Sequence, residues 1–388
     1  MKTYKNLFKD MLEPSYVASC ILETSKGKTK RKDVLNAFKN FDKTYDKVVL
    51  LAKNPSLIKF DYNSYDIIDG SNKKERHIYK PKFNPEQILH HMLMSKFKNI
   101  VMNGLYEQVY GCMPAIIDKN TNKIKKFGIH SAHKKLIKWA RKYKKLYVIE
   151  ADIHHAYESV DIDILKNKII IVIKDKDFLK LLLKFLENLN GLILGHYISP
   201  WLFNFYLKEL DHYIVSLKYN IKYLRFMDNI FIFSSNKKEL KKVLLLLKRY
   251  LNINLMLKLN HSTKMYRFEY KCSNNNIRGR AINALGIVIH HNRISLRKSI
   301  LKRARRKAIN IFNKNKVTWY NSSSMLSRLS WLKNTDTFKY YNKYILPKIN
   351  IKFMKSKVSD HSKLLINQIN TRRSIINDGL EGSTRLAA

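Results

Sequence analysis

Two periods organise the apolar residues of this chain, and they alternate in blocks. Residues 1–60 carry helical spacing, clearest from Val34 to Phe41, broken by basic loops such as Lys26-Gly27-Lys28-Thr29-Lys30-Arg31-Lys32. Residues 62–82 alternate polar with apolar around a Gly70-Ser71-Asn72 turn, which predicts a hairpin. Pro85 opens a helix over 86–103, a loop with Gly111 and Pro114 covers 110–127, and a helix follows over 131–144. An apolar strand then runs from Leu146 to Ile153. Two helices cover 161–188, and another starts at Ser199-Pro200 and reaches residue 218. Next come short apolar strands at 221–226 and 230–233, a helix over 237–250, and strands at 255–259, 264–271 and 282–289. From Leu296 the chain reads as helical and strongly basic. Helices mixed with short antiparallel strands in this order predict an α+β fold, not a doubly wound one. Neither an internal repeat nor a glycine-rich phosphate loop is present.

The paired strands at 221–233 meet at Phe226-Met227-Asp228-Asn229, an acidic tip that presents a carboxylate at the end of a hairpin. The strand Leu146-Tyr147-Val148-Ile149-Glu150-Ala151-Asp152-Ile153 also ends in a carboxylate. Two strand-end carboxylates that meet in space can hold a pair of Mg²⁺ ions. Hard divalent cations take oxygen ligands, and a two-ion site clamps both oxygens of a phosphoryl transfer.

Charge sharpens the picture. Lys plus Arg number 75 against 30 Asp plus Glu, a formal net charge of +45, which points to a polyanionic partner such as nucleic acid. Cys20, Cys112 and Cys272 form no CxxC pair, which argues against a zinc site or a disulfide framework and fits a reducing compartment. The start, Met1-Lys2-Thr3-Tyr4-Lys5, has no signal-peptide pattern, and apolar runs such as Leu165 to Ile173 are cut by Lys and too short to span a bilayer. A cytoplasmic protein without membrane contact is the expectation. Residues 379–388 change composition abruptly, lose the Lys/Asn bias and read as an expression-derived tail.

Five blocks in order then carry a resemblance. Asp152-Ile153-His154-His155-Ala156-Tyr157 resembles the first catalytic block of reverse transcriptases. Gly191-Leu192-Ile193-Leu194-Gly195-His196-Tyr197-Ile198-Ser199-Pro200-Trp201 resembles their glycine loop opening a helix. Phe226-Met227-Asp228-Asn229 is similar to their aromatic-x-Asp-Asp block. Leu259-Asn260-His261-Ser262-Thr263-Lys264 and Ala284-Leu285-Gly286-Ile287-Val288-Ile289 resemble the two blocks after it. The match spans residues 70 to 345. Within the family, Tyr4-Lys5-Asn6-Leu7-Phe8, Gly128-Ile129-His130-Ser131-Ala132, Leu194-Gly195-His196-Tyr197-Ile198-Ser199 and the stretch 329–337 are similar to bacterial diversity-generating retroelement and defence-associated enzymes.

The resemblance implies a right-hand polymerase: a helical N-terminal extension over 1–69, fingers and palm over 70–290, and a basic helical thumb over 291–378. It implies RNA-directed DNA synthesis with Mg²⁺, Mn²⁺ being the alternative. Asp152, Asp228 and the Ile153 carbonyl would ligate the metal, with Asn229 beside them, and Lys264 would protonate departing pyrophosphate. Tyr157 would lie under the nucleotide sugar and Gly195 would let backbone approach the nucleotide. Arg76 and Lys80 would meet its phosphates, with Lys73 and Lys74 as alternatives. Partners would be an RNA template, a DNA product, dNTPs, and a structured noncoding RNA and accessory protein from the same locus. The basic stretch 297–307 would track a phosphate backbone, whereas Trp319, Tyr320 and Trp331 read as thumb core. Three positions depart from the pattern. Asn229 replaces the second Asp of the aromatic block, Leu194 replaces a frequent Gln, and Pro200 replaces the Gln usual in the diversity-generating group. The last two shift weight toward antiphage defence. Asn229 leaves open a catalytically silent RNA-binding scaffold, and the 23 tyrosines leave open a template-independent or protein-primed nucleotidyltransferase.

Overall fold

The computed structural model describes residues 2–28, 30–60, 64–69, 74–117, 124–125, 127–313, 317–333, 335–364 and 366–367 of the 388-residue chain. Three helices come first: α1 (Pro14–Ser25), α2 (Lys32–Lys39) and α3 (Phe41–Lys53). A hairpin of β1 (Ser64–Asp69) and β2 (Lys74–Tyr79) follows; its predicted turn and Lys73 lie outside the described residues. A π-helical turn, Phe83–Gln87, leads into α4 (Ile88–Met102). Two-residue strands β3 (Ile116–Ile117) and β4 (Ile124–Lys125) precede α5 (Ile129–Lys142), β5 (Tyr147–Asp152), α6 (Ile162–Val172), α7 (Lys176–Lys184) and α8 (Ser199–Ser216). Then come β6 (Ile221–Phe226), β7 (Asn229–Ser234), α9 (Lys237–Leu255) and β8 (Lys264–Arg267). Short strands β9 (Tyr270–Lys271), β10 (Ile277–Arg278), β11 (Ile282–Ala284), β12 (Ile287–Ile289) and β13 (Ile294–Leu296) end the mixed region. Helices α10 (Lys298–Asn313), α11 (Trp319–Lys333), α12 (Phe338–Tyr344) and α13 (351–364) complete it.

The central sheet has the order β6-β7-β5-β8, with every pairing antiparallel. Successive side chains of a strand point to opposite faces, and here both faces are covered. Ile149, Ala151, Tyr223, Ile230 and Ile232 enter one apolar core, shared with the N-terminal helices, α4 and α6–α9. Val148, Leu224, Phe231 and Phe233 enter a second core under α5, the β11–β13 sheet and the C-terminal helices. Burial on both faces explains why the strands read as mostly apolar runs, interrupted at Glu150, Lys222 and Arg225, without regular polar alternation. The N-terminal segment is tied in by backbone bonds from Tyr4 N to Val172 O (2.9 Å) and Lys174 N to Tyr4 O (2.8 Å). Asp175, the N-cap of α7, also accepts from Leu7 N (2.6 Å) and Phe8 N (2.9 Å).

Several sequence expectations change. The helix expected to end at 250 continues to Leu255, because Leu240, Val243, Leu247, Leu251 and Leu255 form one buried stripe; it stops at Met256, whose φ of 48° is left-handed. The strand expected at 255–259 is therefore absent, and only a bridge of Leu259 to Ile153 remains. The loop expected over 110–127 contains the β3–β4 pair. The strand expected at 282–289 is two strands, turning at Leu285 and Gly286 (φ 48° and 93°). The hairpin straddles the boundary drawn at residue 70. Trp331 packs as core, but Trp319 and Tyr320 are exposed. Among the described residues, no helix is long and apolar enough to cross a membrane.

His133 of α5 joins the two sides of the second core. Its Nε2 donates to the Leu285 carbonyl (3.1 Å), and burial pushes its pKa down to about 4. The folded state therefore refuses a proton that the unfolded chain accepts below the ordinary histidine value of 6.5. This contribution to stability is present above that pH and is lost as pH falls toward about 4. Denaturant titrations across this window should give a shallower pH slope for His133→Gln than for the parent chain.

Candidate active site

Beneath the acidic tip lies a charge with no access to solvent. Arg225 interrupts the apolar run of β6 and is 0% exposed, as is the side chain of Asp211 on α8. Arg225 Nε and Nη2 donate to the two Asp211 oxygens, each at 2.7 Å, a bidentate arrangement. Nη1 donates to Asn204 Oδ1 (2.9 Å) and to the carbonyl of Met227 (3.1 Å) in the turn itself. Tyr223 completes the group by donating to Asp211 (2.6 Å). Burial alone would lower the Arg225 pKa, but Asp211 more than offsets it and the pKa is raised. Met227 sits at φ 54°, a conformation a non-glycine residue holds only when its surroundings fix it.

The turn presents Asp228 to β5. Asp152 and Asn229 are direct cross-strand partners, so their side chains share a face. Ile153 N donates to the Asp228 carbonyl (3.2 Å). Asn229 Nδ2 donates to Asp228 Oδ1 (3.0 Å), which leaves this neutral amide orienting one carboxylate while it lies opposite the other. Asn260, in the loop before β8, donates its backbone N–H to the Asp152 carbonyl (2.7 Å) and its Nδ2 to Asp152 Oδ2 (3.3 Å). The sheet thus brings Asp152, Ile153, Asp228 and Asn229 together at one edge. Lys264 lies exposed one strand over, as the cross-strand partner of Glu150 and on the same face as Asp152.

Tyr157 stacks on Phe203 (ring centroids 5.1 Å apart, 20° between planes). Burial, together with the nearby Cys112 and Asp228, raises its pKa well above the ordinary phenol value and keeps it neutral. Gly195 has φ 103°, and a Cβ there would lie 2.1 Å from the Tyr79 carbonyl oxygen. Its loop is bonded to the hairpin through Tyr79 N to Leu194 O (3.0 Å). Gly195 and Lys80 line one cavity of about 410 Å³, to which α1–α2 loop residues Lys28 and Arg31 also contribute. Arg76 is exposed on β2 and does not line it. Sequence reasoning saw Lys28 and Arg31 only as part of a basic loop, and assigned nothing to Asn260 or Arg225. The signal for Arg225 was available, since a lone charge between Leu224 and Phe226 in a buried strand needs a partner.

The family model described as "Reverse transcriptase (RNA-dependent DNA polymerase)" matches residues 71–289, more than half of the chain. The chain belongs to the reverse transcriptase family. Apo telomerase from Candida tropicalis, truncated from its C-terminal domain, aligns at 13% identity and a TM-score of 0.40, covering 61% of this chain and 55% of that one. Telomerase from Candida albicans in complex with a TWJ fragment of telomeric RNA aligns at 10% identity and a TM-score of 0.44, covering 85% and 62%. This reverse transcriptase chain thus spans about half to three-fifths of those structures. No curated protein matches.

The oxygen-only donor set of Asp152, Asp228 and the Ile153 carbonyl suits the hard divalent ions that reverse transcriptases use. The geometry beneath it yields two expectations. Arg225→Met strands the Asp211 carboxylate and should lower unfolding free energy in urea by about 3–5 kcal/mol, whereas Arg225→Met with Asp211→Leu should recover most of it. Gly195→Ala places its Cβ against the Tyr79 carbonyl in a left-handed conformation, so the variant's thermal midpoint, read by circular dichroism, should fall below that of the parent chain.

Proposed function

We propose that this chain is an RNA-directed DNA polymerase that uses dNTPs and two Mg²⁺ ions, with Mn²⁺ as the alternative, held by Asp152, Asp228 and the Ile153 carbonyl. The observation that carries the reading is the family match over residues 71–289 coinciding with a sheet that sets Asp152 beside the Asp228 turn. Bound there, the ions would supply acidity to a primer 3′-hydroxyl and neutralise the triphosphate. The protein's own residues orient the rest. Asn229 and Asn260 each fix one carboxylate. Tyr157, neutral and stacked, lies under the sugar and selects against a 2′-hydroxyl. The Gly195 backbone borders the nucleotide and Lys80 with Lys28 and Arg31 faces its phosphates; Arg76, outside that cavity, would have to swing in from the hairpin to meet them, and Lys264 gives a proton to the leaving pyrophosphate.

Fingers and palm would occupy 70–290, the thumb 291–378, and the helical extension 1–69. On α10 the residues Lys302, Arg303, Arg305 and Arg306 are exposed while Ala304, Ala308 and Ile311 are buried, which offers a cationic face to the template–primer backbone. The blocks around residues 4–8, 128–132 and 194–199 support a bacterial defence or diversity-generating setting, with a structured noncoding RNA and an accessory protein as partners.

Primer extension on an RNA template with Mg²⁺ or Mn²⁺ tests the reading. Template-dependent product is expected, with Asp152→Asn or Asp228→Asn lowering the rate at least about 10³-fold, since each removes several kcal/mol of transition-state stabilisation. Salt-sensitive RNA binding without any incorporation would instead establish the silent scaffold, and product without template would establish the template-independent reading.

A further inference from the structure

Away from the two carboxylates, three donor side chains converge in the interior. Glu86 lies in the π-helical turn before α4 and His90 one helical turn later, so both project from one face. His196 arrives from the glycine loop, more than 100 residues on, directly after Gly195. Their exposures are 5%, 0% and 4%, and their ligand atoms all lie within 4.8 Å of one another. His196 Nε2 is 3.7 Å from Glu86 Oε1, and the His90 and His196 ring centroids are 4.9 Å apart. Neither ring nitrogen of His90 meets a hydrogen-bond partner, although the side chain is wholly buried. A buried imidazole left so is uncommon, because such groups are otherwise paired.

We propose that Glu86, His90 and His196 bind one Zn²⁺ ion. Two imidazoles and a carboxylate are a zinc donor set, with the fourth position open to water. The cavity that Gly195 and Lys80 line also borders His90. Imidazole donors disfavour Mg²⁺, so this centre is chemically separate from the oxygen-only site at Asp152 and Asp228. The expectation of no zinc site rested on the absence of a CxxC pair, which does not bear on imidazole and carboxylate ligands. Donor atoms around a tetrahedral zinc with bonds near 2.0–2.1 Å stand about 3.3 Å apart. The 3.7 Å pair is close to that, and the 4.8 Å spread closes by side-chain rotation. The ion would pin the loop carrying Gly195 to the start of α4 and so hold one wall of the cavity in place.

The full chain, stripped with a strong chelator and reloaded, tests this by metal analysis and by Co²⁺ titration. One Zn²⁺ per chain is expected, together with the intense visible absorption of four-coordinate Co²⁺, displaced by Zn²⁺ and not by excess Mg²⁺. His90→Gln and His196→Gln should weaken Zn²⁺ affinity by at least about 10–100-fold, with Asp228→Asn unchanged. Uptake by the parent chain below about a tenth of an equivalent would overturn the proposal, as would a folded His90→Gln that binds like the parent. The Co²⁺ spectrum of the parent chain decides the matter if both variants misfold, and neither readout depends on DNA synthesis.

Discussion

The ion pair between Arg225 and Asp211 is the constraint on which the site geometry rests. Removing both charges from water is costly, and their mutual attraction offsets this only when geometry is good and the remaining polar atoms are satisfied. Both conditions hold: the contact is bidentate, Asn204 takes another guanidinium N–H, and Tyr223 donates to the carboxylate. The remaining reach of Arg225 goes to the Met227 carbonyl. The left-handed Met227 is thereby fixed from below, and the next residue, Asp228, inherits a defined position. Gly111 closes the same space, since a Cβ there would meet Met227 Cγ at 2.6 Å, and its carbonyl accepts from Asn204 (2.9 Å). A polar network buried at this cost is better explained by the precision it imposes on the Asp228 turn than by net stability.

The sheet turns that local precision into a site. Register pairs Asp152 with Asn229 across two strands whose alternate residues are locked into separate cores. A slip by one residue would move every apolar side chain of β5 to the wrong core and carry Asp152 to the opposite face. The placement of the carboxylate is therefore enforced by packing over the length of the strand. The β1–β2 hairpin is bonded to the Gly195 loop through Tyr79 and Leu194, so the cavity beside Gly195 is walled by elements far apart in sequence.

Much of this was legible in the chain itself. The strands flanking Asp152 and Asp228 stood out because burial on both faces writes them as mostly apolar text. The hairpin at β1–β2 stood out by its turn residues and its alternation, although its described side chains are exposed or at most half-buried. The end of α9 was misjudged because the polar residues around Asn252 and Asn254 mask a leucine stripe that continues to Leu255. The roles of Asn260 and Lys28 were not readable, since each depends on a partner brought near by tertiary folding, and Arg225 announced that it needs a partner without naming Asp211. The Glu86, His90 and His196 group is the extreme case, with ligands split between two distant segments and no short motif.

Anomalous diffraction from crystals grown with an RNA–DNA template–primer, a non-hydrolysable dNTP and Mn²⁺ tests the central claim most directly. The account predicts Mn²⁺ density bonded to carboxylate oxygens of both Asp152 and Asp228, with the triphosphate toward Lys80 and Gly195. Mn²⁺ density elsewhere, or a nucleotide bound with neither carboxylate engaged, would contradict it.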